Sequence, residues 1–302
     1  MTEHACPTPG PNDQYPTRRA SEPALLYRTD PVVHGNADGP IDQETLVAYE
    51  ADGFLTVDEL LAPEEVERYR AELRRLADDE AVLRDDRTVT ERGSDEIRSI
   101  FEVHKVSDVF AELVTDPRVV GRARQILGSD VYVHQSRVNY KPGFKGKDFY
   151  WHSDFETWHA EDGMPRMRAV SISIALTENF VHNGGLMIMP GSHKTFVSCL
   201  GETPADHYKE SLRGQEIGTP DPDSLSILAD KHGIELFTGP AGSATMFDCN
   251  CMHGSNGNIT PFPRSNVFIV FNSVENTCEE PFAAPSRRPE FIAARDFTPV
   301  GA

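Results

Sequence analysis

The chain has 302 residues, 48 acidic against 29 basic, a formal charge of -19 and a pI near 4.9. So acidic a protein offers no general basic surface to nucleic acid or to anionic membranes. Its length allows one large or two small domains with a sizeable core, since a chain of this size buries about three quarters of its unfolded surface. The five cysteines, Cys6, Cys199, Cys249, Cys251 and Cys278, are odd in number and scattered, which argues against a secreted disulfide framework. Cys249-x-Cys251 lacks the further spaced partners of a thiolate zinc centre and reads as buried free thiols. With no apolar membrane-length stretch and no basic-then-hydrophobic leader, the expected location is the cytoplasm.

Residues 1–40, rich in proline, threonine, aspartate and glycine, read as an extended arm, packed on the body or partly disordered; residues 41–302 read as one domain. Leu46, Val47, Tyr49 and Glu50 predict a short helix ending at Gly53, and Phe54 to Val57 a strand. Pro63-Glu64-Glu65 opens a helix whose Val66, Tyr69, Leu73 and Leu76 form one core stripe. The charged stretch from Asp79 to Gly93 has no hydrophobic face and is expected to be an exposed loop. Asp116 caps a helix with Pro117 at its first position and Gly128 at its end. Strands are predicted at 131–133, 137–140, 169–176, 186–189, 243–247 and 267–271. The strict alternation from Val170 to Leu176 marks a half-buried strand with a small polar face toward a cavity or solvent. Short strands after a helical preface favour a mainly β fold with flanking helices, a double-stranded β-helix of jelly-roll, cupin-like type.

His152 and Asp154 occupy alternate positions of an extended segment, so both side chains project to one side. Alone, such a triplet is more often a capping or hydrogen-bonded surface group than a pair of ligands. With His253 it makes two imidazoles and a carboxylate, the ligand set of a non-haem Fe(II) oxygenase, which leaves half of an octahedral ion free. Arg264 follows His253 by eleven positions, and its planar fork suits the far carboxylate of 2-oxoglutarate, with Ser255 as a further donor. A surface salt bridge would explain Arg264 by itself; the combination favours the oxygenase.

The run from Phe149 to Pro165, FYWHSDFETWHAEDGMP, followed by Met167-Arg168-Ala169 and Pro190-Gly191-Ser192-His193, closely resembles the ectoine hydroxylases. These belong to the phytanoyl-CoA hydroxylase-like branch of the Fe(II)/2-oxoglutarate dioxygenases. The resemblance covers Asp42 to Asn276 and is densest from Gln135 to Phe196. It implies iron on His152, Asp154 and His253, and 2-oxoglutarate held by Arg264 and Ser255 with contacts from Asn139, Lys141, Phe149 and Ser173. It further implies hydroxylation of ectoine to 5-hydroxyectoine with O2 consumed and succinate and CO2 released, a role in osmotic stress, and a homodimer. From chemistry alone Lys141 stays open between a carboxylate partner and a solvated lysine beside the Pro142-Gly143 turn.

Ectoine joins a delocalised amidinium to a carboxylate, so its pocket is expected to offer aromatic faces near the cation and uncharged donors near the acid. Trp158, Phe247 and Phe268 suit the first task and Gln135, Thr157 and Asn266 the second, each with core packing or ordinary solvation as the plainer account. Arg264, Asn266 and Phe268 alternate and therefore share a side. Trp158 is expected on a loop over the site. His159 is set aside as a ligand, because a third imidazole would take a position needed by 2-oxoglutarate or O2, and His193 reads as a turn or supporting residue. The alternatives are a related dioxygenase acting on another amino acid or an acyl-CoA, a non-catalytic cupin-like metal-binding protein, and a zinc hydrolase, which has no evident general base here.

Overall fold

The computed structural model describes residues 13–301 apart from 92 and 94; Cys6 and the first twelve residues of the expected arm lie outside them. Among the described residues the strands in chain order are β1 (Ala24–Tyr27), β2 (Phe54–Val57), β3 (Thr88–Thr90), β4 (Ile97–Phe101), β5 (Val131–Lys141), β6 (Phe149–His152) and β7 (Ala169–Ala175). There follow β8 (Leu186–Ile188), β9 (Thr195–Ser198), β10 (Glu235–Phe237), β11 (Ala244–Asp248), β12 (His253–Ser255) and β13 (Arg264–Ser273). A seven-stranded antiparallel sheet runs β2-β11-β7-β13-β5-β4-β3, and a four-stranded one runs β10-β8-β12-β6. The two close on each other through Leu186, Ile188 and Phe237 of the smaller sheet and Phe247 and Phe268 of the larger. This is the expected jelly roll.

Side-chain alternation divides the large sheet into two chemistries. Val138, Ile172, Ile174, Met246, Val267, Ile269 and Phe271 face outward into the main core. Helices cover them: Gln43–Asp52 with Leu46 and Tyr49, Pro63–Asp78 with Val66, Tyr69, Leu73 and Leu76, and Pro117–Leu127 with Val119, Ala123 and Ile126. The caps are those read from the chain. Asp42 accepts from Thr45 N–H and Asp116 from Arg118 N–H, while Gly53 and Gly128 end their helices at φ 84° and 59°, where a Cβ is penalised.

Several expectations are corrected. Residues 79–93 are not a plain loop: Asp79 caps a helical turn, Glu80–Leu83, and β3 lies on the sheet edge, where Val89 is buried. The two strands expected at 131–133 and 137–140 are one, β5, running through His134-Gln135-Ser136. These polar residues continue the strand: Gln135 Nε2 donates to Ile292 O, the Ala294 N–H to the His134 backbone O, and Ser136 Oγ lies 2.5 Å from His104 Nδ1. Strand β7 is buried along its whole length rather than half-buried, because the smaller sheet roofs its polar face. The described part of the arm packs on the body. Strand β1 pairs with β9, Tyr15 Oη donates to Asp30, and Arg28 forms a buried ion pair with Asp248 at 2.8 Å.

Candidate active site

Pairing of β12 with β6 sets His253 directly opposite His152. Strand β6 ends at His152, the extended Ser153 caps the next turn, and Asp154 is the first residue of the helix Asp154–Thr157. Asp154 thus leaves the strand and swings between the two rings. His152 Nε2 lies 3.7 Å from Asp154 Oδ1 and His253 Nε2 4.0 Å from Oδ2, and the ring centroids are 4.3 Å apart. One ligand atom from each residue lies within 4.8 Å of the others.

The surroundings aim these atoms. His152 Nδ1 sits 2.6 Å from Tyr150 O and His253 Nδ1 3.0 Å from Cys251 O. A carbonyl only accepts, so each Nδ1 carries a proton, which leaves Nε2, on the Asp154 side, as the atom through which each ring can coordinate. Burial, then the neighbouring His253, pushes the His152 pKa down to about 4, leaving it neutral and able to coordinate. Burial alone would raise the Asp154 carboxyl; the charges that His253 and His152 carry when protonated, with Arg137 and the Ser171 hydrogen bond, outweigh it and hold the carboxyl below its ordinary value. Two neutral imidazoles and one carboxylate on one face fit a non-haem Fe(II) ion with open positions. Ser171 on β7 donates to Asp154 Oδ2 at 3.1 Å. Ser171→Ala is therefore expected to weaken iron binding about tenfold, the scale of lost outer partners; an iron titration with unchanged affinity would refute it.

The inward face of the large sheet is polar, and its order follows from register. On β13 and β5, Arg264 stands opposite Lys141, Asn266 opposite Asn139, and Phe268 opposite Arg137. Lys141 Nζ donates to Ser255 Oγ at 2.8 Å and Asn256 O at 2.6 Å, 5.3 Å from the centre of the Phe149 ring. Arg264 Nε donates to Asn266 Oδ1 at 3.1 Å, and Asn266 Nδ2 to Ser173 Oγ at 2.9 Å. Arg264 also donates to Gly184 O; a Cβ on Gly184, at φ 80°, would meet Asn256 O at 2.5 Å. Among the described residues neither Lys141 nor Arg264 has a carboxylate partner. Burial pushes Arg264 down to about 10, and burial together with Arg264 and Arg98 pushes Lys141 down to about 6. A buried arginine and, beside it, a lysine that burial has largely neutralised together offer a place for an anion.

A cavity of about 450 Å³ opens on the triad. Of the residues read from sequence, His152, Asp154, Phe149, Gln135, Thr157 and Trp158 line it. His253, Phe247, Phe268, Asn139, Lys141, Ser173, Ser255, Arg264 and Asn266 are not among its lining residues, and Phe247 lies 4.9 Å from the His253 ring. Trp158 is not on a loop. It starts a π-helical turn, Trp158–Asp162, and is 3 % exposed, with only part of its ring at the cavity. The buried acids of the turn, Glu161 and Asp162, are paired with arginines, so polar sequence there did not mean exposure.

Sequence reading missed four arginines on the cavity wall, Arg98, Arg137, Arg213 and Arg288. Arg98 pairs with Glu91 and stacks 3.8 Å over Phe149, and Arg288 donates to Asp162 at 2.9 Å. Arg137 has no ion pair among the described residues; it donates to Gln135 Oε1 and lies over Phe268 at 5.1 Å. Its alternation with Gln135 and Asn139 on β5 was the available signal. His159 is occupied with Met164 O and Asp13, and His193 with Glu50 O, so neither is a ligand. Cys249 and Cys251 are fully buried, and burial raises both thiols well above their ordinary value. Iodoacetamide is expected to leave both unlabelled in the native protein; labelling without denaturant would contradict this.

The family model described as phytanoyl-CoA dioxygenase matches residues 49–266, from before β2 into β13. The chain belongs to the phytanoyl-CoA dioxygenase family. Within it, this member is 67 % identical to the ectoine dioxygenase of Streptomyces coelicolor, over 95 % of this chain and 97 % of that one. It is 53 % identical to the ectoine dioxygenase of Sphingopyxis alaskensis, over 94 % and 93 %. Its structure superposes on crystal structures of EctD from S. alaskensis, one with 2-oxoglutarate and 5-hydroxyectoine (TM-score 0.87, 48 % identity, 95 % and 96 % covered) and one with bound Fe (0.86, 47 %, 95 % and 97 %).

Proposed function

We propose that this family member hydroxylates ectoine to 5-hydroxyectoine, using Fe(II), 2-oxoglutarate and O2 and releasing succinate and CO2. One observation carries the reading: beside the triad, a single sheet face bears two separate stations for carboxylates, Lys141 with Arg264 and, four residues along β5, Arg137. The reaction brings together two carboxylate-bearing molecules, and each needs such a station. The ectoine dioxygenases at 53–67 % identity and the EctD structure with 5-hydroxyectoine support the choice of substrate.

In this reading His152, Asp154 and His253 hold the iron, which when bound supplies activation of O2 coupled to decarboxylation of the co-substrate. Arg264 grips the distal carboxylate of 2-oxoglutarate with Lys141 and Ser255, and Asn139, Ser173 and Phe149 complete that end. Gln135, Thr157 and Trp158, which line the cavity, are assigned to the ring substrate, with Phe247, Asn266 and Phe268 as further candidates outside the lining. Uncharged donors near its acid were expected; Arg137 adds a full charge and joins the set. The test is succinate release by the Fe(II)-loaded protein with and without ectoine. Stimulation by ectoine is expected; equal release without it would remove the substrate and leave the class.

Lys141 makes co-substrate binding pH-dependent. Held near 6 in the free protein, it is largely neutral at pH 7.5, and an incoming carboxylate restores its charge. Binding thus takes up a proton, and 2-oxoglutarate affinity should fall as pH rises above about 6. Titration calorimetry in buffers of different ionisation enthalpy reads the uptake directly; no buffer dependence at pH 7.5 would refute it. Stability of the free protein should rise over the same range, because the unfolded lysine, with its ordinary pKa of 10.5, keeps the proton that the folded one has lost.

The proposal extends to one oxygenase domain over residues 41–302 carrying the N-terminal arm, in a cytoplasmic homodimer serving osmotic stress. No helix among the described residues is long and apolar enough to cross a membrane. Light scattering should return twice the chain mass of 33.6 kDa; a monomer mass would remove the dimer.

A further inference from the structure

We infer that Arg18, from the segment before β1, is a positioning residue for the substrate side of the site, acting through Glu156 and Thr157; this rests on the ectoine reading above. Arg18 lies outside the 49–266 stretch matched by the family model. Its side chain is completely buried, and its fork grips Glu156, Nε to Oε1 at 2.9 Å and Nη2 to Oε2 at 2.8 Å. Nη1 reaches Glu161 Oε1 at 2.5 Å. The backbone of Arg18 sits at φ 59°, in the left-handed region that non-glycine residues seldom occupy, and its N–H is tied to Cys199 O at 2.8 Å. Such strain persists only where the surroundings enforce it.

Glu156 and Glu161 lie on the helical stretch that also carries Asp154, Thr157 and Trp158, so the clamp fixes how that stretch is rolled against the cavity. The contact that turns a clamp into a functional device is to Thr157. Arg18 Nη2 lies 3.4 Å from Thr157 Oγ1, and Gln215 Nε2 donates to the same oxygen at 3.1 Å. A hydroxyl has two lone pairs and one proton. With both lone pairs engaged by donors, Thr157 has only its O–H left to offer. Its sole acceptor among the described residues is Glu156 Oε2, at a long 3.5 Å, whereas an acceptor group of ectoine in the cavity can take the proton at normal length. Arg18 thereby makes Thr157 a donor to the substrate.

Steady-state constants and anaerobic ectoine binding by the protein loaded with Fe(II) and 2-oxoglutarate test this in Arg18→Lys, Arg18→Gln, Thr157→Val and the double variant Arg18→Lys/Thr157→Val. Arg18→Lys keeps the buried charge, so the fold stands even if Arg18→Gln does not accumulate. The expected result for Arg18→Lys is a KM for ectoine raised about tenfold, the cost of a misplaced substrate contact. The KM for 2-oxoglutarate and the visible absorption of the anaerobic Fe(II)–2-oxoglutarate protein should stay unchanged, and the double variant should be no worse than Thr157→Val. An unchanged KM for ectoine, a parallel rise in both KM values with a lower melting temperature, or additive effects in the double variant would overturn the inference. Absence of ectoine-stimulated succinate in the wild type would remove the ectoine reading itself, a failure visible before any variant is made.

Discussion

Asp154→Ala is expected to lower ectoine-dependent succinate formation by on the order of 10³-fold or more, the scale for deleting the centre of a catalytic constellation. Asp154 is the only carboxylate of the triad, and it neutralises charge that two neutral imidazoles cannot. Its removal also strands Arg137, for which Asp154 is the strongest favourable charge in a buried setting. The fold should survive, because the cap of the helical turn is Ser153, whose Oγ accepts from Glu156 N–H and donates to Asn250. Circular dichroism and melting temperature check that, and iron content read beside the rate separates lost metal from lost chemistry. His152→Ala and His253→Ala should behave alike, and any variant with an undiminished rate would remove its residue from the ligand set.

Replacing Arg264 by Ala should raise the KM for 2-oxoglutarate about 100-fold, as expected for losing a buried charge-assisted fork. Iron content and the KM for ectoine should barely move, since Arg264, paired in register with Lys141, is not among the residues lining the cavity. The loss is limited because Arg264 is, after burial, the largest influence holding the Lys141 pKa down. Without it Lys141 keeps its proton to higher pH and answers part of the carboxylate charge. The pH dependence of 2-oxoglutarate affinity should therefore shift upward in the variant. An unchanged KM would sink the anchor role of Arg264.

What was legible in the chain is what local physics writes into it. The helix from Pro63 to Asp78 and that from Pro117 to Leu127 were read from caps and stripes, because a helix buries its face within a few turns of its own sequence. Alternation exposed β7 and the inward set Arg264, Asn266 and Phe268 for the same reason. Where partners are distant, reading failed. The acids after Trp158 sit in a stretch that read as a loop because the arginines that receive them, Arg18 and Arg288, are far along the chain, and charge in the 79–93 stretch hid a short edge strand that pairs with β4.

By itself, the sequence determined the fold class, the triad and, through the ordered run around His152, the family resemblance. Only the tertiary structure decided that His253 faces His152 across a strand pair, that Arg137 stands at the cavity with no ion pair among the described residues, and that Arg18 grips a carboxylate 138 residues away. The reason is physical: period and capping act between neighbours in sequence, whereas strand register and the partners of buried charges are settled only when distant segments pack and exclude water.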